Sequence, residues 1–480
     1  MAVSRLRFLE KDEEDLIHDL SLEVLNDIGV RIPSKQTLEM LVDAGAVVDF
    51  NSEIAKLPES MVNDALSRAP KSFTVGARDN KYDVKLPTRT YPYVSLGGVT
   101  SWIEDFETKK RRDASRKDLA EIARIADALD PIDMIWPLVT VRDVPPHATY
   151  VHELWTCLKN TVKPINGSAG SPTLGVSDAK VQIKLGELVA GGEMEMRKKP
   201  PFTILSCVIA PLSFEKGSVE AQCEYAKAGI PVISMSMSLG GSTCPVTVAG
   251  TIVNANSENL ASLVISQTAA PGAPHIYSSE STLVNVKTGY ISYNGPETPM
   301  IFAAVGQMAS RYGLPKMTGI LGIDPPYRGN PLPLGGTMPY LMTALSGTDL
   351  CSGMGDLDFD NGCSKEEIVL DANIWDDFRQ YMREFEISEK AAALDIMKEV
   401  GHGNTFLTHP HTLKNFKSQM YFRNREIEQL YTETSLQKIH GDAHEVVKRI
   451  LSEHEVPALD KDILTEGDRI IGEYEKRQPA

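Results

Sequence analysis

Residues 91–360 alternate short apolar runs with longer helical patterns, and this alternation constrains the fold more than any other feature of the chain. Apolar runs of this length are typical of strands that are buried on both faces of a parallel sheet. We predict eight strands: Tyr93–Gly97, Met134–Val139, Lys163–Gly167, Thr203–Ala210, Val232–Met237, His275–Ser279, Met317–Gly322 and Leu350–Gly353. Helical patterns lie between them, near 117–129, 148–160, 176–190, 215–228, 246–268, 297–312 and 334–346. This order predicts an α/β fold, a closed (β/α)8 TIM barrel.

An open, doubly wound sheet is the structural alternative to the barrel. Such a sheet usually has fewer strands and a Gly-rich GxGxxG fingerprint after the first one, which does not occur here. Both flanks of the barrel are predicted to be helical. We expect an N-terminal cap over 1–90, the catalytic barrel over 91–360, and a charged C-terminal extension over 361–480 that packs on the barrel or on a neighbouring subunit. We therefore also expect a homo-oligomer.

The charge and cysteine content exclude several classes of protein. A net charge of −16 on 480 residues argues against a nucleic-acid partner, which needs a concentrated basic surface. The basic run 109–112 is bracketed by acidic residues and is typical of a solvated turn. No apolar stretch reaches the ~18 residues of a membrane span, and the N-terminus becomes acidic too early for a secretory signal. Six scattered cysteines without a CxxC pair indicate reduced thiols in the cytoplasm.

The active site of a barrel lies at the carboxyl ends of its strands. Polar residues occupy several of these ends: Asn166–Ser168, Ser206–Cys207, Ser238–Thr243, Tyr277–Glu280, Asp324–Arg328 and Gly353–Asp356. The sequence contains no HExxH, no Walker-type phosphate loop and no GxSxG motif. Glu280 is the strongest single candidate, because a carboxylate just past a buried strand is costly unless it is used or paired. An ion pair inside the barrel mouth is the alternative interpretation.

Three further patterns each allow two interpretations. Four aromatic residues could form a box around a cation or fill the core: Trp136, Tyr277, Tyr293 and Tyr327. The loop 238–243 could cradle an anion through its backbone N–H groups, although a tight turn is the preferred interpretation. His409 and His411 could bind a metal, but no spaced Cys or carboxylate cluster accompanies them, so a structural role is preferred and we predict no metal site.

Several separate segments together resemble the trimethylamine methyltransferase family. They include PVISMSMSLGGSTCPVTVAGT (231–251) and the stretch that continues from it, TGYISYNGPETPMIFAAVGQMASRYGLPKMTG (288–319), ALDIMKEVGHGNTFLTHPHTLKNF (393–416) and DFETKKRRDASR (105–116). The resemblance covers nearly the whole chain in order. It implies the (β/α)8 barrel of that family and transfer of a methyl group from an amine to a cognate corrinoid protein.

The resemblance has one departure, which concerns the substrate. The family archetype carries pyrrolysine near the end of the seventh strand, whereas LGIDPPYRGNPLP (321–333) contains only standard residues here. The chain therefore resembles the branch without pyrrolysine, whose members demethylate quaternary amines such as glycine betaine, proline betaine or carnitine. A quaternary nitrogen departs as a neutral tertiary amine, so its demethylation by Co(I) needs neither a general acid nor a covalent adduct.

These inferences assign expected roles to individual residues. Glu280 and Asp324 are the predicted catalytic carboxylates, the four aromatic residues are expected to hold the cation, and Arg328 and Asn166 are the candidate donors to a substrate carboxylate. The corrinoid is expected on the partner protein, with no cofactor held tightly by this chain. Asp442-Ala443-His444 lacks the glycine of a corrinoid-binding motif. Two alternatives remain: a betaine-binding or regulatory protein without turnover, and a barrel lyase with Glu280 as its base.

Overall fold

The computed structural model describes residues 6–168, 170, 172–289, 291, 293, 295–320, 341–358, 360–420 and 436–476. Its centre is a sheet of seven parallel strands, which we number β1 to β7 in chain order: Tyr93–Leu96, Ile165–Ser168, Phe202–Val208, Val232–Ser236, His275–Ser279, Lys316–Ile320 and Leu350–Met354. Their order across the sheet is β1-β7-β6-β5-β4-β3-β2. Each predicted strand that the structure confirms ends within two residues of its predicted bounds, over the described residues.

The predicted strand Met134–Val139 is not confirmed as a strand. Single parallel bridges join Met134 to Ser95 of β1 and Ile135 to Ile165 of β2, so this segment lies between the two ends of the sheet. Pro137 lacks the N–H that a continuous ladder would require at its centre. The sheet is therefore nearly closed and barrel-like, with seven strands and a bridged segment where an eighth was predicted.

Helices surround this sheet because the segments between the strands carry an apolar face that must be buried. They are Arg116–Ala128, Thr149–Asn160, Gly175–Ala190, Glu193–Lys198, Lys216–Ala228, Val248–Ala269 and Glu297–Arg311, and residues 341–345 are also helical. Ser115 begins the first of these with a capping box. Val248–Ala269 is buried along almost its whole length, between the barrel and the N-terminal region.

The N-terminal region is less helical than predicted. Its helices are Lys11–Glu23, continued by a π-helical turn over Val24–Ile28, and then Lys35–Asp43 and Glu59–Arg68. Small sheets accompany them, built from Val30–Arg31, Val47–Asp49, Ile54–Lys56, Phe73–Val75 and Val84–Leu86. Gly29 ends the first helix with a φ of 79°, a conformation that glycine adopts without strain.

Short strands and further helices complete the described chain. A four-stranded sheet joins Asp356–Leu357, Gly362–Cys363, Trp102–Glu104 and Arg111–Arg112, so it brings the segment after β7 beside the segment after β1. Leu239–Gly240 pairs with Thr282–Leu283. The C-terminal helices are Lys365–Arg379, Glu389–Ala392, Leu394–Val400, Pro410–Gln419, Leu436–Glu453 and Lys461–Glu475. No helix among the described residues is both long and apolar enough to cross a membrane.

Candidate active site at the carboxyl ends of the strands

A cavity of about 250 Å³ lies where the carboxyl ends of the barrel strands meet. Its walls come from segments far apart in the sequence: Gly97, Gly98, Val99, Trp136, Leu205, Cys207, Met235, Met237, Glu280, Ser352, Gly353, Asp356 and Asp360. None of these lining residues is Lys, Arg or His. Over the described part of the chain, the cavity wall therefore combines acidic, aromatic and sulfur-containing side chains and includes no basic one.

Three carboxyl groups dominate the electrostatics of this cavity. Burial together with the like charge of the neighbouring Asp360 raises the pKa of Glu280 to about 8, and a 3.2 Å hydrogen bond donated by Ser352 Oγ opposes this shift. Burial also raises the pKa of Asp356 well above its ordinary value, and that of Asp360. The like charge of the neighbouring Asp360 contributes to the raised pKa of Asp356. Burial and the proximity of like charges therefore favour the protonated forms of these groups, and none of the described lining residues carries a counter-charge.

Glycines allow the side chains of the cavity wall to approach the backbone. A Cβ atom at Gly97 would overlap the carboxylate of Asp356, and one at Gly98 would overlap the indole of Trp136. Gly167 also contacts this indole and has a φ of 60°, a conformation that glycine adopts without strain. The Trp136 side chain is thus enclosed between two backbone segments, with only 4% of its surface exposed.

A further buried carboxylate, that of Glu258, bonds to the segments that follow β3 and β4. Its Oε2 accepts hydrogen bonds from Ser236 Oγ at 2.5 Å and Ser238 Oγ at 3.2 Å, and its Oε1 accepts from Leu212 N at 2.9 Å. Asn254 Nδ2 donates to Oε1 as well, at 2.8 Å. Since Glu280 N donates to Ser236 O, this network positions the backbone that carries Glu280.

The loop 238–243 is a tight turn. The backbone N–H groups of Ser242 and Thr243 donate to Leu239 O, and that of Gly241 donates to Cys244 O. Leu239 N donates to Thr243 Oγ1 at 2.9 Å. These donors are occupied within the loop itself, which favours the turn over the anion cradle.

The structure places the predicted site residues in different surroundings. Glu280 and Trp136 both line the cavity. Asn166 is buried among the barrel strands, where its amide donates to Ser95 Oγ at 3.0 Å and accepts from Thr203 Oγ1 at 3.0 Å. Tyr277 instead faces the helix layer, and its hydroxyl donates to Asn256 Oδ1 at 2.8 Å.

The remaining predicted site residues are not among the described residues of the cavity wall. Tyr293 is buried in the loop before Glu297–Arg311 and is absent from the cavity wall. Asp324, Tyr327 and Arg328 lie outside the described residues. Within the described part of the chain, no group of three or more His, Cys, Asp or Glu residues is arranged to hold a metal ion.

Comparison with known proteins decides which family this barrel belongs to. The family model described as trimethylamine methyltransferase matches residues 2–477. The chain belongs to this family. It is accordingly a methyltransferase, and the resemblance found in its sequence motifs is confirmed.

Individual relatives of the family span most of the chain. Trimethylamine methyltransferase MttB of Desulfitobacterium hafniense strain DCB-2 is 31% identical over 84% of this chain and 80% of its own length. The protein of the same name from Methanosarcina barkeri strain Fusaro is 30% identical over 98% of this chain and 96% of its own length. A glycine betaine methyltransferase of D. hafniense strain Y51 is 27% identical over 96% of this chain and 95% of its own.

Sequence reasoning did not select Asp356, Asp360 or Glu258 as functional residues of this family member. Asp356 follows β7 in the strand-end segment Gly353–Asp356, which was a usable signal. Glu258 is the one charged residue of the helix Val248–Ala269 and lies in the run Asn254-Ala255-Asn256-Ser257-Glu258-Asn259. Such a polar run inside a buried helix predicts a hydrogen-bond network, but its partners are visible only in the folded chain.

Proposed function

We propose that this chain demethylates a small quaternary amine of the glycine betaine, proline betaine or carnitine type and passes the methyl group to Co(I) of a separate corrinoid protein. The observation that carries this proposal is the cavity, whose described lining residues include three carboxyl groups and an indole and no basic side chain. The carboxyl groups and the indole both stabilise a permanent positive charge, because carboxylates attract it and an aromatic face attracts it further.

The chemistry of a quaternary nitrogen fits the groups that line the cavity. When the C–N bond breaks, its electron pair stays on nitrogen and a neutral tertiary amine departs, while the new bond to the methyl carbon uses the electron pair of the Co(I) acceptor. No proton is transferred in this step. The task of Glu280, Asp356 and Trp136 is to hold the cation so that one methyl group faces the cavity opening.

The methyl acceptor comes from outside the chain in this proposal. Cys207 is the one thiol in the cavity wall, and burial raises its pKa to about 12. It therefore stays protonated at neutral pH and is a poor nucleophile. A volume of about 250 Å³ lies just below the ~300–1,000 Å³ of typical small-molecule sites, so it suits a small cation and is too small to enclose a corrin ring.

The betaine character of the substrate is the finer part of the proposal. It is supported by the relative whose name is glycine betaine methyltransferase and by the standard residues at 321–333, where the archetype has pyrrolysine. A betaine carboxylate needs a donor, and we propose Arg328 for it, with Asp324 and Tyr327 in the same segment completing the site. The Asn166 amide already has protein partners, which makes it the weaker candidate.

The direct test combines the chain, a Co(I) corrinoid protein and a panel of betaines, carnitine and trimethylamine. We expect an absorbance change that reports methylcobalt with at least one quaternary amine and none with trimethylamine. Tight calorimetric binding of a betaine without methylcobalt formation would instead identify a binding protein. Turnover with a bell-shaped pH profile and no need for corrinoid would identify a lyase with Glu280 as its base.

Asp356→Asn tests the cavity itself. Removing one carboxyl group from the cluster is expected to weaken binding of the quaternary amine by at least about tenfold, or ~1.4 kcal/mol. The matched control is Asp358→Asn, since Asp358 lies two residues away, pairs with Arg111 at 3.2 Å and does not line the cavity. Equal affinities for the two variants, measured by calorimetry, would contradict the proposed site.

A further inference from the structure

The cavity wall has two chemically different parts, which come from different strands. The carboxyl groups lie on the segments that follow β5 and β7, whereas β3 and β4 contribute a patch of apolar and sulfur-containing side chains. We call this patch the sulfur wall, and its members are Leu205, Cys207, Met235 and Met237. Cys207 and Met235 are paired in the parallel ladder of the two strands, so the patch is continuous across them.

Alternation along the two strands directs the sulfur wall into the cavity. Successive side chains of a strand point to opposite faces. Ser206 Oγ of β3 and Ser236 Oγ of β4 donate hydrogen bonds of 2.7 and 2.5 Å to side chains of the helix layer. Because these two serines face outward, their sequence neighbours in the sulfur wall face inward. Leu205 and Cys207 are accordingly half-buried on either side of the buried Ser206, and their free surface lines the cavity.

The sulfur wall lies opposite part of the carboxyl cluster. In the sheet order, β3 and β7 are separated by β4, β5 and β6. In a nearly closed ring, this separation places the two strands on opposite sides of the cavity. A cation held between them therefore has the segment of Asp356 on one side and the sulfur wall on the other.

The chemistry of a thioether suits the second side of such an ion. A quaternary nitrogen is enclosed by its own carbon atoms and donates no hydrogen bond, so the alkyl groups that face away from the carboxyl groups need apolar contacts. Methionine supplies them, because its sulfur is polarizable and its unbranched side chain adapts to the shape of a neighbour. The thioether also carries no hydrogen-bond donor that would be left unsatisfied against an alkyl group.

We infer that Met235 and Met237 determine the size of the alkyl groups that this site accepts on the quaternary nitrogen. The inference rests on the proposed function, since it divides the same ligand between the carboxyl groups and the sulfur wall. At about 250 Å³, the cavity is small for a ligand site. The length of the two methionine side chains therefore limits the space that remains for each alkyl group.

Calorimetry on the full-length chain with tetramethylammonium and tetraethylammonium tests this inference. The two ions carry the same charge and differ by one methylene in each arm, so the ratio of their affinities measures size. We expect the wild-type chain to prefer tetramethylammonium by at least about tenfold. Met237→Ala should reduce this preference by at least about tenfold, because it opens space for the longer arms. Met235→Ala should change the ratio in the same direction.

Two controls separate size selection from a general loss of stability. Met237→Leu nearly conserves the side-chain volume and should keep the wild-type ratio. Met308→Ala makes the same truncation at a methionine that is buried in the helix Glu297–Arg311 and does not line the cavity, so it should also keep this ratio. An affinity ratio for Met237→Ala equal to that of Met308→Ala would overturn the inference, as would a wild-type chain that binds neither ion.

The readout distinguishes this inference from the proposed function. The affinity ratio requires neither a corrinoid protein nor methyl transfer. A chain that selects ions by size through Met237 but forms no methylcobalt with any quaternary amine would support the sulfur wall and contradict the proposed reaction. A chain that forms methylcobalt while Met237→Ala leaves the ratio unchanged would do the reverse.

Discussion

Buried charged groups have complementary partners at the amino ends of the barrel strands, whereas carboxyl groups cluster together at the carboxyl ends. At the amino ends of the strands, Lys163 donates to the carbonyls of Ala126 and Leu129 at 2.9 Å and of Ile132 at 2.7 Å. Nearby, Lys316 of β6 pairs with Asp349 at 3.5 Å. At the carboxyl ends, Glu280, Asp356 and Asp360 share a cavity whose described lining residues include no basic one.

This difference distinguishes the buried groups that stabilise the barrel from those that line its cavity. Buried groups with complementary partners hold the strands together, and removing one partner leaves the other unsatisfied. Carboxyl groups gathered without a counter-charge cost stability, because each must either stay protonated or repel its neighbours. A protein that keeps such a cluster facing a cavity is prepared for a ligand that brings the missing positive charge. Three predictions test this contrast.

The largest expected effect is at the amino ends of the strands. Asp349→Ala should lower the free energy of unfolding by about 3–5 kcal/mol, because it leaves Lys316 without its buried partner. It also removes the acceptor of Thr88 N at 2.9 Å and of Lys316 N at 3.0 Å. Urea unfolding measures the loss. Glu193→Ala, which removes an exposed pair with Arg197, is the control and should cost at most ~1 kcal/mol; equal losses would refute the contrast.

An intermediate effect is expected from Glu280→Gln as the pH changes. The pKa of Glu280 is about 8 in the folded chain, above its ordinary value, so between the two values the folded state holds a proton that the unfolded state has released. Wild-type stability should therefore fall as the pH rises from 5 to 8, by up to about 1.4 kcal/mol per pH unit for this group. The variant lacks this contribution and should gain stability relative to wild type over that interval. Urea unfolding measures the free energy of unfolding of both proteins at each pH. If the two free energies vary with pH in parallel, Glu280 does not titrate in this way.

The smallest expected effect is on cation binding. Trp136→Leu removes the aromatic face from the cavity wall and should weaken binding of a quaternary ammonium ion by about 0.5–2 kcal/mol. Trp136→Phe keeps a ring at this position and should retain part of the affinity. Calorimetry with tetramethylammonium separates the two variants. If the leucine and phenylalanine variants bind the ion with equal affinity, the ring face has no role in holding it.

Most of the architecture could be predicted from local patterns. The hydrophobic runs located seven of the barrel strands, because a strand buried on both faces must be apolar along its length. Ser115 and Gly29 lie at helix ends, in keeping with capping preferences that depend on a few adjacent residues. The same reasoning failed at Met134–Val139, where Pro137 limits the pairing to single bridges. The motifs also identified the family, since they extend in order along nearly the whole chain.

What the sequence alone determined was thus the order of elements, the end of the barrel that carries the site, and the family. The tertiary structure alone decided which side chains share the cavity. Trp136, Glu280 and Asp356 are far apart along the chain and meet only because the ring of strands brings their ends together. It also turned Tyr277 toward the helix layer and placed Glu280 and Asp356 in a wall where no described residue is basic. The direction in which a side chain points and the residues that surround it depend on packing between distant segments. No local pattern of residues encodes either of them.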